Sequence, residues 1–169
     1  PQTRAGTYPG AANAVPAASA ADAAGQTPAH RAGEIAARMR AIPFDLSKYE
    51  TVRTLDRLDA WIAEAFDLGF VAFDTETTSL DAMQAELVGF SLATAPGRAC
   101  YIPVGHDYPG APAQLPLAQV LDALRPILES SERPKVGQHG KYDLHVLRRH
   151  GVMVRGYAED TILQRFVLT

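Results

Sequence analysis

An apolar strand that ends in two carboxylates is the most constraining feature of this sequence. Residues 70–77 read Phe-Val-Ala-Phe-Asp-Thr-Glu-Thr, so Asp74 and Glu76 are separated by one residue. Side chains at positions i and i+2 of a strand point to the same face, and both acids should therefore converge on one small volume. Two carboxylates at this range repel each other unless a cation lies between them, and hard oxygen ligands suit magnesium or manganese. The pattern predicts a metal site, with a solvated acidic loop as the alternative.

Asp143 is a candidate third acid. Residues 135–151 have the pattern of a short strand, a turn containing glycine, and a helix that ends at Gly151. Asp143 falls near the start of this helix, where exposed backbone N–H groups and the helix dipole favour a negative charge. An acid at this position is also typical of helix capping, and the residues alone leave both interpretations open.

Four segments occur along the chain in a characteristic order. They are Asp-Thr-Glu-Thr-Thr-Ser-Leu-Asp at 74–81, Tyr-Ile-Pro-Val-Gly-His-Asp-Tyr at 101–108, Lys-Val-Gly-Gln-His-Gly-Lys-Tyr-Asp at 135–143 and Asp-Thr-Ile-Leu at 160–163. Together they resemble the 3′–5′ exonuclease domain of bacterial DNA polymerase I, within the DEDD exonuclease superfamily. The resemblance covers residues 49–169, and the ordered set is far more specific than Asp-x-Glu alone.

The resemblance implies a site that hydrolyses the 3′-terminal phosphodiester of DNA with two divalent metal ions, Mg²⁺ or Mn²⁺. In the family's scheme the first acid bridges both ions, the second binds one ion and helps orient water, and the third acts at the other ion, partly through water. Asp74, Glu76 and Asp143 take these catalytic and metal-binding roles in that order. Two ions can together activate the attacking water and stabilise the leaving 3′ oxygen.

Three further residues match substrate-binding positions of the family: Thr75, Leu80 and His139. Leu80 matches an apolar side chain that wedges against the terminal bases, with ordinary loop packing as the alternative. His139 stands where the family commonly has Asn, and a solvent-facing turn histidine is the alternative there. The family's last motif, a Tyr followed four residues later by Asp, does not occur after Asp143. We therefore expect it beyond Thr169, and we expect the 169 residues alone to be inactive.

The implied partners are the single-stranded 3′ end of DNA, a nucleoside monophosphate product, and covalently linked 5′ nuclease and polymerase domains. A net charge of -3 argues against a free-standing DNA binder driven by electrostatics. The single cysteine, Cys100, cannot form an intramolecular disulfide. The sequence has no apolar run of about 20 residues, the length that a membrane helix needs. We expect no membrane partner and a bacterial cytoplasmic location.

The predicted fold is an α/β, ribonuclease H-like mixed sheet flanked by helices and truncated at its C-terminus. Residues 1–45 are rich in alanine, proline and glycine and predict a flexible interdomain linker with a short helix from Gly33 to Ile42. Residues 46–169 form the N-terminal part of the exonuclease domain. An antiparallel meander is predicted at 70–74, 86–94 and 98–104. Later strands are predicted at 135–138 and 152–155, with helices at 55–66, 116–129, 141–150 and from about 160.

Two other functions fit parts of the pattern. Asp-Thr-Glu-Thr-Thr is similar to the Asp-x-Asp-x-Thr of haloacid dehalogenase-like phosphatases, but that family needs Asp at position 76 and a largely parallel sheet. A polymerase-I-like domain that keeps the fold without nuclease activity is the second alternative, although such domains usually lose the acids. Asp160 is interpreted as a helix N-cap and excluded from the site, and His106, Asp107 and Tyr108 are assigned to structure.

Overall fold

The computed structural model describes residues 27–41 and 45–168, and these contain helices on both sides of a strand-rich middle segment. The helices are Pro28–Ala41 (α1), Leu55–Leu68 (α2), Leu117–Leu128 (α3), Lys141–Arg149 (α4) and Thr161–Leu168 (α5). The strands are Glu50–Thr51 (β1), Val71–Thr77 (β2), Leu87–Ala95 (β3), Arg98–Pro103 (β4), Lys135–Gly137 (β5) and Tyr157–Asp160 (β6). Within the described ranges, no helix combines the length and the apolar character needed to cross a membrane.

The strands form one mixed sheet in the order β1-β4-β3-β2-β5-β6. The predicted meander is confirmed, because β2 pairs antiparallel with β3 and β3 pairs antiparallel with β4. The outer pairings, β2 with β5, β5 with β6 and β1 with β4, are parallel. Strand β2, which carries Asp74 and Glu76, therefore lies between an antiparallel neighbour, β3, and a parallel neighbour, β5. This arrangement contradicts the largely parallel sheet that the phosphatase alternative requires.

Amphipathic helices cover one face of this sheet. The Thr54 side chain accepts a hydrogen bond from the backbone N–H of Arg57 at 3.4 Å and caps α2 as predicted, and Gly69 ends the helix with a φ of 80°. α2 and α3 supply much of the core through their buried apolar residues, including Leu58, Trp61, Val120 and Leu124. The alternation along β2 places Val71, Phe73 and Thr75 on the buried face and Asp74 and Glu76 on the other.

The predicted strand at 152–155 is wrong, and the strand lies at Tyr157–Asp160 instead. Its start follows Gly156, whose φ of 64° suits glycine and where a Cβ would lie 3.0 Å from the Arg133 carbonyl oxygen. The Gly156 carbonyl then accepts from the Lys135 N–H at 2.8 Å, and this bond begins the pairing with β5. Val152 lies in the core and Val154 packs against it, but neither belongs to a strand. Their alternating pattern therefore predicted a strand five residues too early.

Part of the predicted N-terminal linker lies within the described residues. The predicted helix from Gly33 to Ile42 is present as α1, which begins five residues earlier at Pro28. The rest of the predicted linker, residues 1–26 and 42–44, lies outside the described residues. The division of the chain at residue 45 stays a prediction.

Candidate functional site

β2 presents Asp74 and Glu76 on the face of the sheet opposite the core. Asp74 pairs with Ser91 of β3, and Glu76 pairs with Gly89. Both acidic side chains are exposed, while Thr75 between them is buried. The period of two along a strand predicted this convergence, and the structure confirms it.

Asp143 reaches the same region from α4. β5 runs parallel to β2, with Val71 opposite Lys135, so the turn after β5 brings the first turn of α4 beside β2. The Asp143 side chain is only 3% exposed. Its Oδ1 accepts a hydrogen bond from the Thr75 backbone N–H at 3.2 Å and another from the Thr75 hydroxyl. The N-cap of α4 is Gly140, so Asp143 is a first-turn acid that bonds to β2.

These contacts give Thr75 a role that sequence reasoning missed. Its backbone N–H and its hydroxyl both orient the buried carboxylate of Asp143. The predicted contact of Thr75 with substrate stays a prediction. An isolated Thr between two acids carries no signal for a partner that lies 68 residues later in the chain.

The environment of Asp74 and Asp143 disfavours negative charge. Burial raises the pKa of the Asp143 carboxyl, the hydrogen bond from the Thr75 hydroxyl opposes this shift, and the charge of Asp74 adds to it. Desolvation also raises the pKa of Asp74. Carboxyl groups whose pKa values are raised in this way are typical of a site that accepts a proton or a cation.

One cavity of about 570 Å³ brings the predicted site residues together. Its lining includes all six of them: Asp74, Thr75, Glu76, Leu80, His139 and Asp143. A neighbouring cavity of about 480 Å³ shares Asp74 and His139 and extends across the sheet to Ala93 and Ala99. Across the described ranges, however, no group of three or more His, Cys, Asp or Glu side chains is closed enough to hold a metal ion. The acids line one cavity, and Asp143 is turned toward Thr75.

Leu80 is fully presented to solvent on a loop with many internal bonds. Its side chain is 99% exposed. The loop is closed by two bonds between Thr78 and Glu86, each 3.0 Å long, and the Tyr142 hydroxyl donates to the Ser79 carbonyl. This exposure does not fit the alternative interpretation, in which Leu80 packs within its own loop. Leu80 lines the cavity, and its contact with substrate stays a prediction.

His139 lies in a strained turn that Asp160 holds in place. The φ of His139 is 57°, a left-handed conformation that is uncommon for residues other than glycine. Its N–H and that of Gly140 donate to the two carboxylate oxygens of Asp160, at 3.0 and 2.9 Å. Asp160 also accepts from the Ile162 N–H at 3.0 Å, so the predicted cap of α5 is confirmed. Burial acts to raise the pKa of Asp160, but these backbone bonds outweigh it and hold the pKa at about 2.

The tie between Asp160 and the His139 turn was missed by sequence reasoning. An Asp before a helix gives the same signal whether it caps that helix alone or also anchors a second segment. A turn in this region implies backbone N–H groups that need acceptors, but the sequence does not indicate which residue provides the acceptor atoms.

Comparisons with known proteins agree with this geometry. A family model described as 3′–5′ exonuclease matches residues 49–169. DNA polymerase I of Pseudomonas aeruginosa is 46% identical over 122 residues, which cover 71% of this chain and 13% of that protein. DNA polymerase I of Rhizobium leguminosarum is 45% identical over 159 residues, which cover 84% of this chain and 16% of that protein. The chain thus spans a small part of these relatives.

A solved structure supports the fold independently. The EXO domain of Aedes aegypti Nibbler superposes with a TM-score of 0.54 at 20% identity, covering 75% of this chain and 59% of that chain. At this identity the likeness concerns the fold, and it confirms the ribonuclease H-like class predicted from the sequence. Because the family model covers most of the chain and these two relatives are more than 40% identical to it over the aligned residues, the chain belongs to the family of 3′–5′ exonuclease domains found in bacterial DNA polymerase I.

Proposed function

We propose that this chain carries most of the active site of a domain that removes nucleotides from the single-stranded 3′ end of DNA by metal-assisted hydrolysis and releases nucleoside monophosphates, and that the 169 residues alone are inactive. The observation that carries the proposal is the single cavity of about 570 Å³ into which β2 and α4 bring Asp74, Glu76 and Asp143. Asp74 and Glu76 lie on one strand, and Asp143 comes from a helix far along the chain. A solvated acidic loop would not bring a buried acid from another element to the same cavity.

The donor set fits divalent cations. Carboxylate oxygens are the hard ligands that Mg²⁺ and Mn²⁺ prefer. The raised pKa values of Asp74 and Asp143 reflect burial and, at Asp143, the charge of Asp74 as well, and bound positive charge would offset both effects. Two Mg²⁺ or Mn²⁺ ions, when bound, lower the pKa of the attacking water and stabilise the leaving oxygen.

The positions of the three acids suggest which groups would hold the cations. Asp74, which lines both cavities, would hold cations together with Glu76 and Asp143, and the cations would supply Lewis-acid activation of water and stabilisation of the leaving oxygen. Thr75 would keep the Asp143 carboxylate oriented, since its hydroxyl and N–H both donate to it. Such prior orientation keeps ligands in place for the reaction.

Substrate contacts would come from the cavity rim. The exposed Leu80 would pack against the terminal base, and His139 would approach the 3′-terminal nucleotide from the turn after β5. The backbone of Thr75 would lie beside the same nucleotide. The last family motif, a Tyr and an Asp spaced by four, would come from residues encoded after Thr169 and would complete the site.

In the whole protein, this domain would serve as the proofreading part of a DNA polymerase I active in replication and repair in the bacterial cytoplasm. Residues 1–45 would join it to a 5′ nuclease domain, and a polymerase domain would follow. The identity to polymerase I relatives supports this arrangement, although the chain spans only 13% and 16% of them.

The test is hydrolysis of end-labelled single-stranded DNA by the full-length protein with Mg²⁺ or Mn²⁺. Asp74→Asn should reduce 3′ removal by at least about 100-fold, because misplacing reacting groups by about 1 Å already costs that much. The matched control is Asp59→Asn, an exposed acid on α2, which should leave the rate unchanged. Normal removal by Asp74→Asn would refute the assignment, and no removal by the unaltered protein would favour a domain that keeps the fold without nuclease activity.

A further inference from the structure

Tyr101 lies on the same face of the sheet as the two acids of β2. It pairs with Ser91, and Ser91 pairs with Asp74, so the three residues form one row across β4, β3 and β2. Directly paired residues point to the same side of a sheet. The alternation of β4 agrees, because Cys100 and Ile102 on either side of Tyr101 are buried in the core.

The Tyr101 ring leans from its own row over Gly89. A Cβ added at Gly89 would lie 2.0 Å from the Tyr101 hydroxyl oxygen and 2.4 Å from Cζ. Glycine inside a strand weakens it, and here the ring explains why no side chain is present. Gly89 is the register partner of Glu76, and neighbouring strands are about 4.8 Å apart. The hydroxyl is therefore one strand away from the backbone of Glu76, on the face to which Glu76 projects.

A set of contacts holds the Tyr101 hydroxyl in this position. Its oxygen lies 2.7 Å from Nε2 of His106. The backbone N–H and carbonyl of His106 each bond to the side chain of Gln114, at 2.7 and 2.8 Å. The His106 ring also packs against the edge of Tyr108, with centroids 5.8 Å apart. The loop after β4 thus fixes the Tyr101 hydroxyl on the face of the sheet that carries the two acids.

We propose that Tyr101 is a positioning residue for Glu76, and this inference rests on the proposed function. Its hydroxyl donates a hydrogen bond to the Glu76 carboxylate when that carboxylate binds a cation, as Thr75 does for Asp143. A hydroxyl that donates to Glu76 must accept from His106, so His106 carries its proton on Nε2. Hydrogen bonds to ligating carboxylates orient them toward the metal.

The state of the hydroxyl agrees with this role. Burial raises the pKa of Tyr101, and the negative charge of Glu76 raises it further. The hydroxyl therefore remains a donor near neutral pH.

The experiment measures Mn²⁺ binding to the full-length protein by the electron paramagnetic resonance signal of free Mn²⁺. Sites that persist in Asp74→Asn are subtracted, which leaves the binding that depends on Asp74. Tyr101→Phe removes the hydroxyl and keeps the ring over Gly89, so packing is preserved. We expect Tyr101→Phe to weaken this binding about 10- to 100-fold, the usual effect of losing such a partner. Tyr108→Phe, a hydroxyl of the same aromatic group, should leave the affinity unchanged.

A double mutant identifies the route. In a Glu76→Gln background, Tyr101→Phe should cause no further loss of Mn²⁺ affinity, because its effect passes through Glu76. Equal losses in both backgrounds, or unchanged affinity in Tyr101→Phe alone, would overturn the inference and leave the proposed function intact. If the unaltered protein shows no Asp74-dependent Mn²⁺ binding, the proposed function fails and this inference fails with it.

Discussion

Removing the Thr75 hydroxyl should destabilise the chain through Asp143. Thr75→Val keeps the branched shape and the backbone N–H bond to Asp143, and it removes only the hydroxyl donor. The carboxylate is 3% exposed, so water cannot readily replace the lost bond. Hydrogen bonds to charged groups contribute about 1.5–3 kcal/mol, and we expect the free energy of unfolding at pH 7 to fall by about 2 kcal/mol.

The effect should depend on pH in a defined direction. Burial already raises the pKa of Asp143, and loss of the Thr75 donor raises it further. An acid whose pKa is raised on folding binds more protons in the folded state than in the unfolded state. Its contribution to stability therefore falls as pH rises from the unfolded-state pKa, about 4 for Asp, through the folded-state pKa. The deficit of Thr75→Val should therefore be largest at neutral pH and shrink on acidification.

Urea unfolding followed by fluorescence can measure this, because Trp61 is the single tryptophan and lies 1% exposed in the core. Thr51→Val, at an exposed position on β1, is the matched control and should stay within about 0.5 kcal/mol of the unaltered chain. A Thr75→Val loss no larger than that of the control, or a loss that is the same at pH 4 and pH 7, would show that the hydroxyl does not stabilise an ionised Asp143.

Three further predictions concern other positions. Lys135 is fully buried, and burial lowers its pKa to about 8. The free energy of unfolding should therefore rise as pH increases from about 8 toward the ordinary lysine pKa of 10.5. Lys135→Met should abolish this rise when urea unfolding is measured against pH. Asp160 has a pKa of about 2, so its contribution to stability is present above about pH 4, the usual Asp range, and is lost as pH falls toward 2. At pH 7, Asp160→Asn should speed hydrogen exchange of the His139 and Gly140 amides, which donate to Asp160, and at pH 2 it should have little effect. Gly89→Ala should cost about 1–3 kcal/mol through the clash with Tyr101, whereas Gly33→Ala, in open space on α1, should stabilise slightly; equal effects in thermal unfolding would contradict the packing argument.

Much of this fold was predictable because its signals are local. The period of two along residues 70–77 placed Asp74 and Glu76 on one face, and β2 confirms it. The helical spacing of apolar residues and Thr54 located α2, and its cap is present at that residue. The ordered motifs identified the family and the mixed sheet. Each of these signals lies within one element or in the order of elements along the chain.

Other features were decided only in three dimensions. Whether Asp143 caps α4 or bonds to β2 depends on where the turn after β5 lies, and the structure directs the carboxylate to Thr75. The partner of the His139 turn is Asp160, although the sequence predicted only a helix cap there. The last strand begins after Gly156 because the register with β5 begins there, whereas the valines before it had predicted an earlier start. Glycine at 89 is explained by a ring that comes from another strand. Side-chain partners separated by many residues are set by strand register and helix placement, and periodicity within one segment carries no information about either.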